Sequence, residues 1–215
     1  MDETTKQNKH STRKDHSQSL RERNENDLFL LKVLVGLNYS VDEEINSKVE
    51  LYFGNFLDIQ GYDVMVNAAN GENIRKEAIK NYPVNKQGGR INTGFAAITG
   101  AYNLKNFKKI VHTVGPYLDK EGNPQENLLS SCYLESIKFL DGKKLSSIVF
   151  PCLSTGFYGF PMSHACFVAL STIRNVLENI KYKKKIHKVC FCVFNDLEQQ
   201  FYKYIFPFVF PSRKN

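Results

Sequence analysis

The stretch Pro151-Cys152-Leu153-Ser154-Thr155-Gly156-Phe157-Tyr158-Gly159-Phe160-Pro161 separates two segments of unlike period. Before it, Ser147-Ile148-Val149-Phe150 is a short apolar, β-branched run that reads as a buried strand. After it, Ala165, Val168, Ala169, Ile173, Val176, Leu177 and Ile180 recur at helical spacing and predict a helix over 162–180. The turn between them holds two glycines, two small hydroxyls and a proline near the first helical position, where a missing N–H does no harm. Such a turn leaves backbone N–H groups at the positive end of a helix dipole, which is the physics of an anion site and most often of a phosphate site. Glycine lets the backbone approach a ligand, with no Cβ in the way. Many strand-to-helix turns bind nothing, so a plain connection stays open as the other reading.

The same alternation continues outward in both directions. Downstream, residues 186–194 predict a strand and residues 196–206 a helix. Upstream, Lys109-Ile110-Val111-His112-Thr113-Val114 predicts a strand closing at Gly115-Pro116, and Asn123-Pro124 opens a helix over 125–140. Ile98-Thr99 reads as a short strand, and Val64-Met65-Val66 as another that runs into Asn67-Ala68-Ala69-Asn70-Gly71. Residues 47–54 alternate Val49, Leu51 and Phe53 with polar neighbours, the pattern of a strand with one wet face. Residues 72–82 are helix-like up to Pro83, and Gln87-Gly88-Gly89-Arg90 is a loop. This order predicts an α/β fold, a three-layer α/β/α sandwich around a mixed, mostly parallel sheet. Ligands of such sheets sit at the carboxyl ends of strands, where the chain order switches.

The 215 residues suit one domain with an appendage, and a hydrophobic fraction of 42% supports an ordinary core. Residues 1–27 hold six basic and six acidic side chains and almost nothing apolar, which predicts a disordered arm. Residues 28–46 then read as a packing segment, 47–211 as the folded domain and 212–215 as a short tail. No run approaches 18 consecutive apolar residues, so no membrane partner is predicted. The acidic residues of the arm count against a transit peptide, leaving a cytoplasmic or nuclear location as the default. The five cysteines form no CxxC pair and no metal-ligand spacing with the five histidines, so they read as reduced core thiols and no metal is predicted. Cys152 and Cys192, near strand ends, are the two with reactive potential. The formal charge of +7 lies outside the neutral arm, in Lys105, Lys108 and Lys109 and in the run from Lys181 to Lys188. Such clusters read either as a nucleic-acid footprint or as solvated lysine around strand entries.

Three strand ends fit a nucleotide diphosphate. Residues 67–70 bring Asn67 and Asn70, whose carboxamides donate and accept and so suit ribose hydroxyls. Residues 154–158 bring the phosphate-type turn, and Phe194-Asn195 brings an aromatic face for a base. Each also has a plain reading, as turn asparagine, helix cap or core aromatic. His112 sits inside a strand and reads as a core histidine.

The motifs Val66-Asn67-Ala68-Ala69-Asn70, Asn92-Thr93-Gly94 with Ile98-Thr99-Gly100, Ile110-Val111-His112-Thr113-Val114-Gly115-Pro116, Leu129-Ser130-Ser131-Cys132-Tyr133 and residues 150–161 together resemble the macrodomain family, most of all its MacroD-type ADP-ribosyl hydrolases. Phe191-Cys192-Val193-Phe194 matches as well, and the likeness covers residues 45–211. The resemblance implies an ADP-ribose pocket and no cofactor. Ser154, Thr155, Gly156, Phe157 and Tyr158 would wrap the diphosphate and distal ribose, with Tyr158 over the ribose. Asn67 and Asn70 would serve the ribose end, Phe194 would lie against adenine, and Asn55 with Leu57 would complete the ligand-binding set. The partners so implied are ADP-ribose or a mono-ADP-ribosylated protein. The family reactions are removal of mono-ADP-ribose from acidic side chains and deacetylation of O-acetyl-ADP-ribose.

Two departures bear on the chemistry. Family hydrolases follow their Asn-Ala-Ala-Asn with a glycine-rich loop and a Val-Asp whose aspartate positions water near the anomeric carbon. Here Asn70 is followed at once by Gly71-Glu72-Asn73-Ile74-Arg75. Asn73 falls nearest the aspartate's place and has no useful proton affinity, and Glu72 is a substitute only if turned inward. The family's first strand ends in Gly-Asp-Ile, whereas this chain has Gly54-Asn55-Phe56-Leu57-Asp58-Ile59. Asn55 keeps an acceptor for the adenine amine without the charge, and a shift of register would return the role to Asp58. The resulting expectation is an ADP-ribose-binding macrodomain with no committed catalytic residue. The alternatives are a non-enzymatic reader or scaffold, and a basic nucleic-acid-binding module.

Overall fold

The computed structural model describes residues 28–29, 32–69 and 91–213. The chain divides into two compact units at residues 37 and 38. In the first, residues 32–36 are helical. The second carries the sheet. The expected arm of residues 1–27, the helix over 72–82 and the loop at 87–90 lie outside the described residues.

The second unit runs α1 (Glu43–Asn46), β1 (Val49–Phe53), a 3-10 turn (Phe56–Asp58), β2 (Val64–Ala68), β3 (Ala96–Gly100), β4 (Lys109–Thr113), α2 (Glu126–Ile137), β5 (Ser147–Phe150), α3 (Met162–Glu178), α4 (Ile180–Lys185), β6 (Lys188–Val193) and α5 (Asp196–Val209). The six strands lie in the order β1-β6-β5-β2-β4-β3. All neighbours are parallel except β3, which runs antiparallel to β4 with Ala96 opposite Thr113 and Gly100 opposite Lys109. From β2 the chain crosses to the edge strand β3 and returns to β4, while from β5 it moves the other way to β6, which lies beside β1. The chain order therefore switches between β2 and β5. That is where a parallel sheet opens a crevice at its strand ends.

Alternate side chains of the buried strands serve opposite faces, as a period of two requires. On one face Phe150 and Phe191 stack at 6.0 Å, with Tyr133 of α2 at 5.0 Å from Phe150 and Tyr202 of α5 at 5.6 Å from Phe191. On the other, Met65, Ile110, Val149, Cys190 and Cys192 pack with Phe56, Ile59, Tyr62, Ala101 and Phe107 from the connecting segments. Arg174 of α3 is buried and holds three pieces together. It donates to Val209 O at 3.0 Å, to Ser40 O at 2.8 Å and to Glu178 at 3.0 Å.

The long helix expected over 162–180 ends at Glu178, and a separate short helix, α4, follows. Asn179 is the reason: its side chain accepts from Lys181 N at 3.0 Å and starts the second helix. Ile180, counted on the apolar stripe of the longer helix, is consequently exposed. The last helix runs past the expected residue 206 to Val209, with Pro207 inside it. No helix among the described residues is long and apolar enough to cross a membrane.

Asp63 pins the opposite end of the sheet from the crevice. Its carboxylate accepts from the amides of Ser146 at 2.8 Å and Ser147 at 3.1 Å, and pairs with Lys108 at 2.6 Å. Partial burial works against its charge, but Lys108 and these donors outweigh it and hold the carboxyl down at about 2. A depressed folded value means that this stabilisation is present above the ordinary carboxyl range and is lost as the pH falls through about 2. Asp63→Asn is expected to lower stability at pH 7 by about 2 kcal/mol, and to flatten the loss of melting temperature between about pH 4 and pH 2. Thermal unfolding across that range reads both effects.

Candidate functional site

Leu153 and Phe160 are buried and anchor the two feet of the β5–α3 turn. Between them, Phe160 N donates to Ser154 O at 3.0 Å and Gly159 N to Gly156 O at 2.9 Å. Ser154 has φ 65° and Gly159 φ 68°, both left-handed, a conformation a serine holds only where its surroundings enforce it. The hydrogen bonds close the turn from inside and leave its crest outward. Among the described residues, the N–H groups of Thr155, Gly156, Phe157 and Tyr158 meet no protein acceptor. A Cβ built on Gly156 would touch nothing within 4 Å. Successive unpaired amides with open space above them make a concave donor array suited to phosphate oxygens.

This turn reaches across the end of β2 to the segment that follows β4. Ser154 Oγ is buried without a hydrogen-bond partner, and lies where a Cβ on Gly115 would be 2.1 Å away. Glycine at 115 is therefore what admits the serine. Gly115→Ala is expected to destabilise by about 1–3 kcal/mol through overpacking. Adding Ser154→Ala should recover most of that, because the next nearest atom, Ser154 Cβ, stands at 3.4 Å. Denaturant midpoints of the two single variants and the double variant test this.

Aromatic rings crowd the outer lip. Tyr158 stacks on Tyr117 at 3.8 Å, and Phe157 meets Tyr117 edge-on at 6.4 Å with 93% of its surface exposed. Gln125 donates to Tyr117 O at 2.8 Å and fixes that segment to the start of α2. Partial burial, then Tyr117, pushes the Tyr158 phenol above its ordinary value, so it remains a neutral donor.

The neighbouring strand ends complete the row. Phe194 leaves β6 73% exposed, held there by a capping box. Glu198 accepts from the amides of Phe194 at 3.0 Å and Asn195 at 3.3 Å, while Asn195 accepts from Glu198 N at 2.9 Å. Beside it, Gly54 N donates to Val193 O at 3.1 Å, so the segment after β1 starts next to Phe194. Asn55 is exposed, and its side-chain oxygen accepts from Leu57 N at 3.0 Å to cap the 3-10 turn. Leu57 and Asp58 are exposed on that turn.

Asn67 also has a partner within the sheet. On β2 opposite His112, it donates from Nδ2 to His112 Nδ1 at 3.2 Å. Thr99 Oγ1 lies 3.0 Å from His112 Nε2 and donates to Gly100 O at 3.1 Å. His112 is thus a buried core residue. Asn70, Glu72 and Asn73 lie outside the described residues. Cys152 and Cys192 flank the site without reactive character. Burial, then Glu198, pushes both thiols up, Cys192 to about 11. Among the described residues no cluster of histidine, cysteine, aspartate and glutamate suited to a metal comes together. Tyr117 and Gly115 are the site residues that sequence reasoning passed over. The signal was there, in the Gly115-Pro116-Tyr117 end of a strand next to β2.

The Macro domain family model matches residues 55–169 of the chain. A macro domain-containing protein of Caldanaerobacter subterraneus subsp. tengcongensis is 37% identical over 164 residues, 75% of this chain and 88% of that protein. The ADP-ribose glycohydrolase MACROD1 of Rattus norvegicus is 33% identical over 187 residues, 80% of this chain and 70% of its own length. Among solved structures, the Oceanobacillus iheyensis macrodomain with ADP is similar with a TM-score of 0.64 and 29% identity, covering 77% of this chain and 93% of that one. The Trypanosoma brucei macrodomain in complex with ADP-ribose is similar with a TM-score of 0.61 and 27% identity, covering 76% of this chain and 71% of that one.

Proposed function

The chain belongs to the macro domain family, and on that footing we propose that it binds ADP-ribose, free or as the mono-ADP-ribosyl group of a protein. The observation that carries this reading is the run of amides from Thr155 to Tyr158, which meets no protein acceptor and has open space at Gly156. The order of groups along the strand ends supports it. Phe194, with Asn55 and Leu57 next to it, offers a face for adenine at β6 and β1. The donor turn follows at β5, and the end of β2 comes last, for the second ribose. Neighbouring strands are roughly 4.8 Å apart, so base, diphosphate and distal sugar meet their groups in covalent order.

The same site reads as a reader of ADP-ribose more than as a hydrolase. From Val64 to Leu118 the sequence contains no aspartate, so the water-positioning carboxylate of MacroD-type enzymes has no counterpart of its own kind in that interval. Among the described residues, Glu198 is a carboxylate near the foot of the turn, and it is committed to the amides of residues 194 and 195. With Glu72 outside the described residues, turnover would rely either on that carboxylate turned inward or on water ordered by the bound diphosphate.

Calorimetric titration tests the binding, with ADP-ribose expected to bind more tightly than AMP by about tenfold or more, since AMP lacks the second phosphate and ribose. Equal affinity for the two would remove the donor turn from the account. A mono-ADP-ribosylated glutamate acceptor separates reader from hydrolase. Retention of the label on the acceptor is expected, and its release above the no-protein rate would make the protein an enzyme.

A further inference from the structure

The edge of the sheet opposite the crevice collects the lysines. Lys109 begins β4, Lys188 begins β6, and between them lie the starts of β2 and β5. The turn before β5 carries Lys143 and Lys144, both exposed. It sits against α4, where a Cβ on Gly142 would be 2.9 Å from the Lys185 backbone. Lys108 donates to Lys144 O at 3.2 Å, which joins this turn to the start of β4. Lys184 is exposed on the outer side of α4. Among the described residues, the acidic groups on this edge are already engaged. Asp63 pairs with Lys108, Glu50 with Lys188 at 3.7 Å, and Asp141 accepts from the amides of residues 143, 144 and 145. Among the described residues Lys109, Lys143, Lys144, Lys184 and Lys185 have no carboxylate partner.

An aromatic stands at the end of this line. Tyr102 follows β3, whose last residue Gly100 pairs with Lys109, and it is 52% exposed. Its φ of 51° is left-handed, an uncommon conformation for a tyrosine. From β6 to β4 the edge spans three strand intervals, roughly 14 Å. A line of unpaired ammonium groups with an exposed ring at one end fits a backbone of phosphates carrying flat bases. It does not fit a membrane surface, which asks for an apolar face beside the lysines, whereas Ile180 is the large aliphatic residue exposed on α4.

We propose that this edge is a docking surface for single-stranded nucleic acid, with phosphates along Lys109, Lys143, Lys144, Lys184 and Lys185 and a base on Tyr102. The surface lies at the opposite ends of the strands from the ADP-ribose crevice, so the two ligands bind independently. The test is fluorescence anisotropy of a labelled 20-nucleotide RNA with the full chain. With about four phosphates neutralised, affinity should fall about 50-fold between 50 and 200 mM salt. The triple variant K143E/K144E/K184E should weaken binding by at least about tenfold, and Tyr102→Ala by about fivefold or more. Saturating ADP-ribose should leave RNA affinity unchanged, and the triple variant should bind ADP-ribose as wild type does, which also reports that it is folded. Three results would each overturn the proposal: no binding at 50 mM salt, equal binding by the triple variant, or displacement of the RNA by ADP-ribose. Retention on anionic vesicles without RNA binding would overturn it in favour of a membrane.

Discussion

Gly156→Val abolishes ADP-ribose binding in the expected result, raising the dissociation constant by about 100-fold or more, which is about 2.7 kcal/mol. The cause is local and steric. Gly156 stands at the middle of the amide array from Thr155 to Tyr158, and a branched side chain there covers the donors that phosphate oxygens need. The fold has no stake in the change, because a Cβ at this position meets nothing within 4 Å and the backbone is not left-handed. The unliganded variant should therefore melt within about 2 °C of wild type. Retained affinity in the variant would mean that the ligand does not use this turn. A large drop in melting temperature would mean that the turn is packed from outside, contrary to the geometry.

The second large effect falls on stability. Arg174→Met should cost about 3 kcal/mol, and lower the melting temperature by about 6–12 °C for a chain of this size. Arg174 is 1% exposed and is the donor to Val209 O at the end of α5 and to Ser40 O in the segment leading to α1. It also lies over the rings of Tyr39 at 5.1 Å and Phe210 at 5.9 Å. Methionine of similar length fills much of the space but leaves two carbonyls without their donor, and an unsatisfied buried acceptor costs about 1–3 kcal/mol. Because Arg174 is far along α3 from the turn, the ADP-ribose affinity of the folded variant should be that of wild type. Unchanged stability would show that these carbonyls find other donors.

Much of this architecture was legible in the residues. The run Ser147-Ile148-Val149-Phe150 is a strand with those bounds, because a short, wholly buried strand carries no polar interruption. The strands expected over residues 109–114 and from Val64-Met65-Val66 are found at Lys109–Thr113 and Val64–Ala68, because β-branched runs mark a strand better than they mark its last residue. Where reading failed, a side chain had taken a role that periodicity does not encode. Asn179 ends one helix and caps the next, so Ile180 fits the apolar spacing yet points to solvent. Pro207 would normally stop a helix, but α5 runs through it to Val209, whose carbonyl then meets Arg174. At the site, the left-handed Ser154 could not be foreseen, since its partner in space, Gly115, is a separate strand end. Asn67 shows what the sequence leaves out without overturning its expected role. Its carboxamide suits a ribose hydroxyl in isolation, and only the β2–β4 register shows it opposite His112. Asn55 likewise offers an acceptor in the sequence, and the structure shows that oxygen already accepting from the amide of Leu57.

The most direct measurement is thermal unfolding with excess ADP-ribose, wild type and Gly156→Val side by side, with AMP as the control ligand. At 100 times the dissociation constant a ligand adds about 2.7 kcal/mol, a rise of about 5–10 °C for this size of chain. The expected result is that rise for wild type with ADP-ribose, little with AMP, and none for Gly156→Val with either. No shift of the wild type at millimolar ADP-ribose, or an equal shift of both proteins, would contradict the assignment of this turn as the diphosphate site.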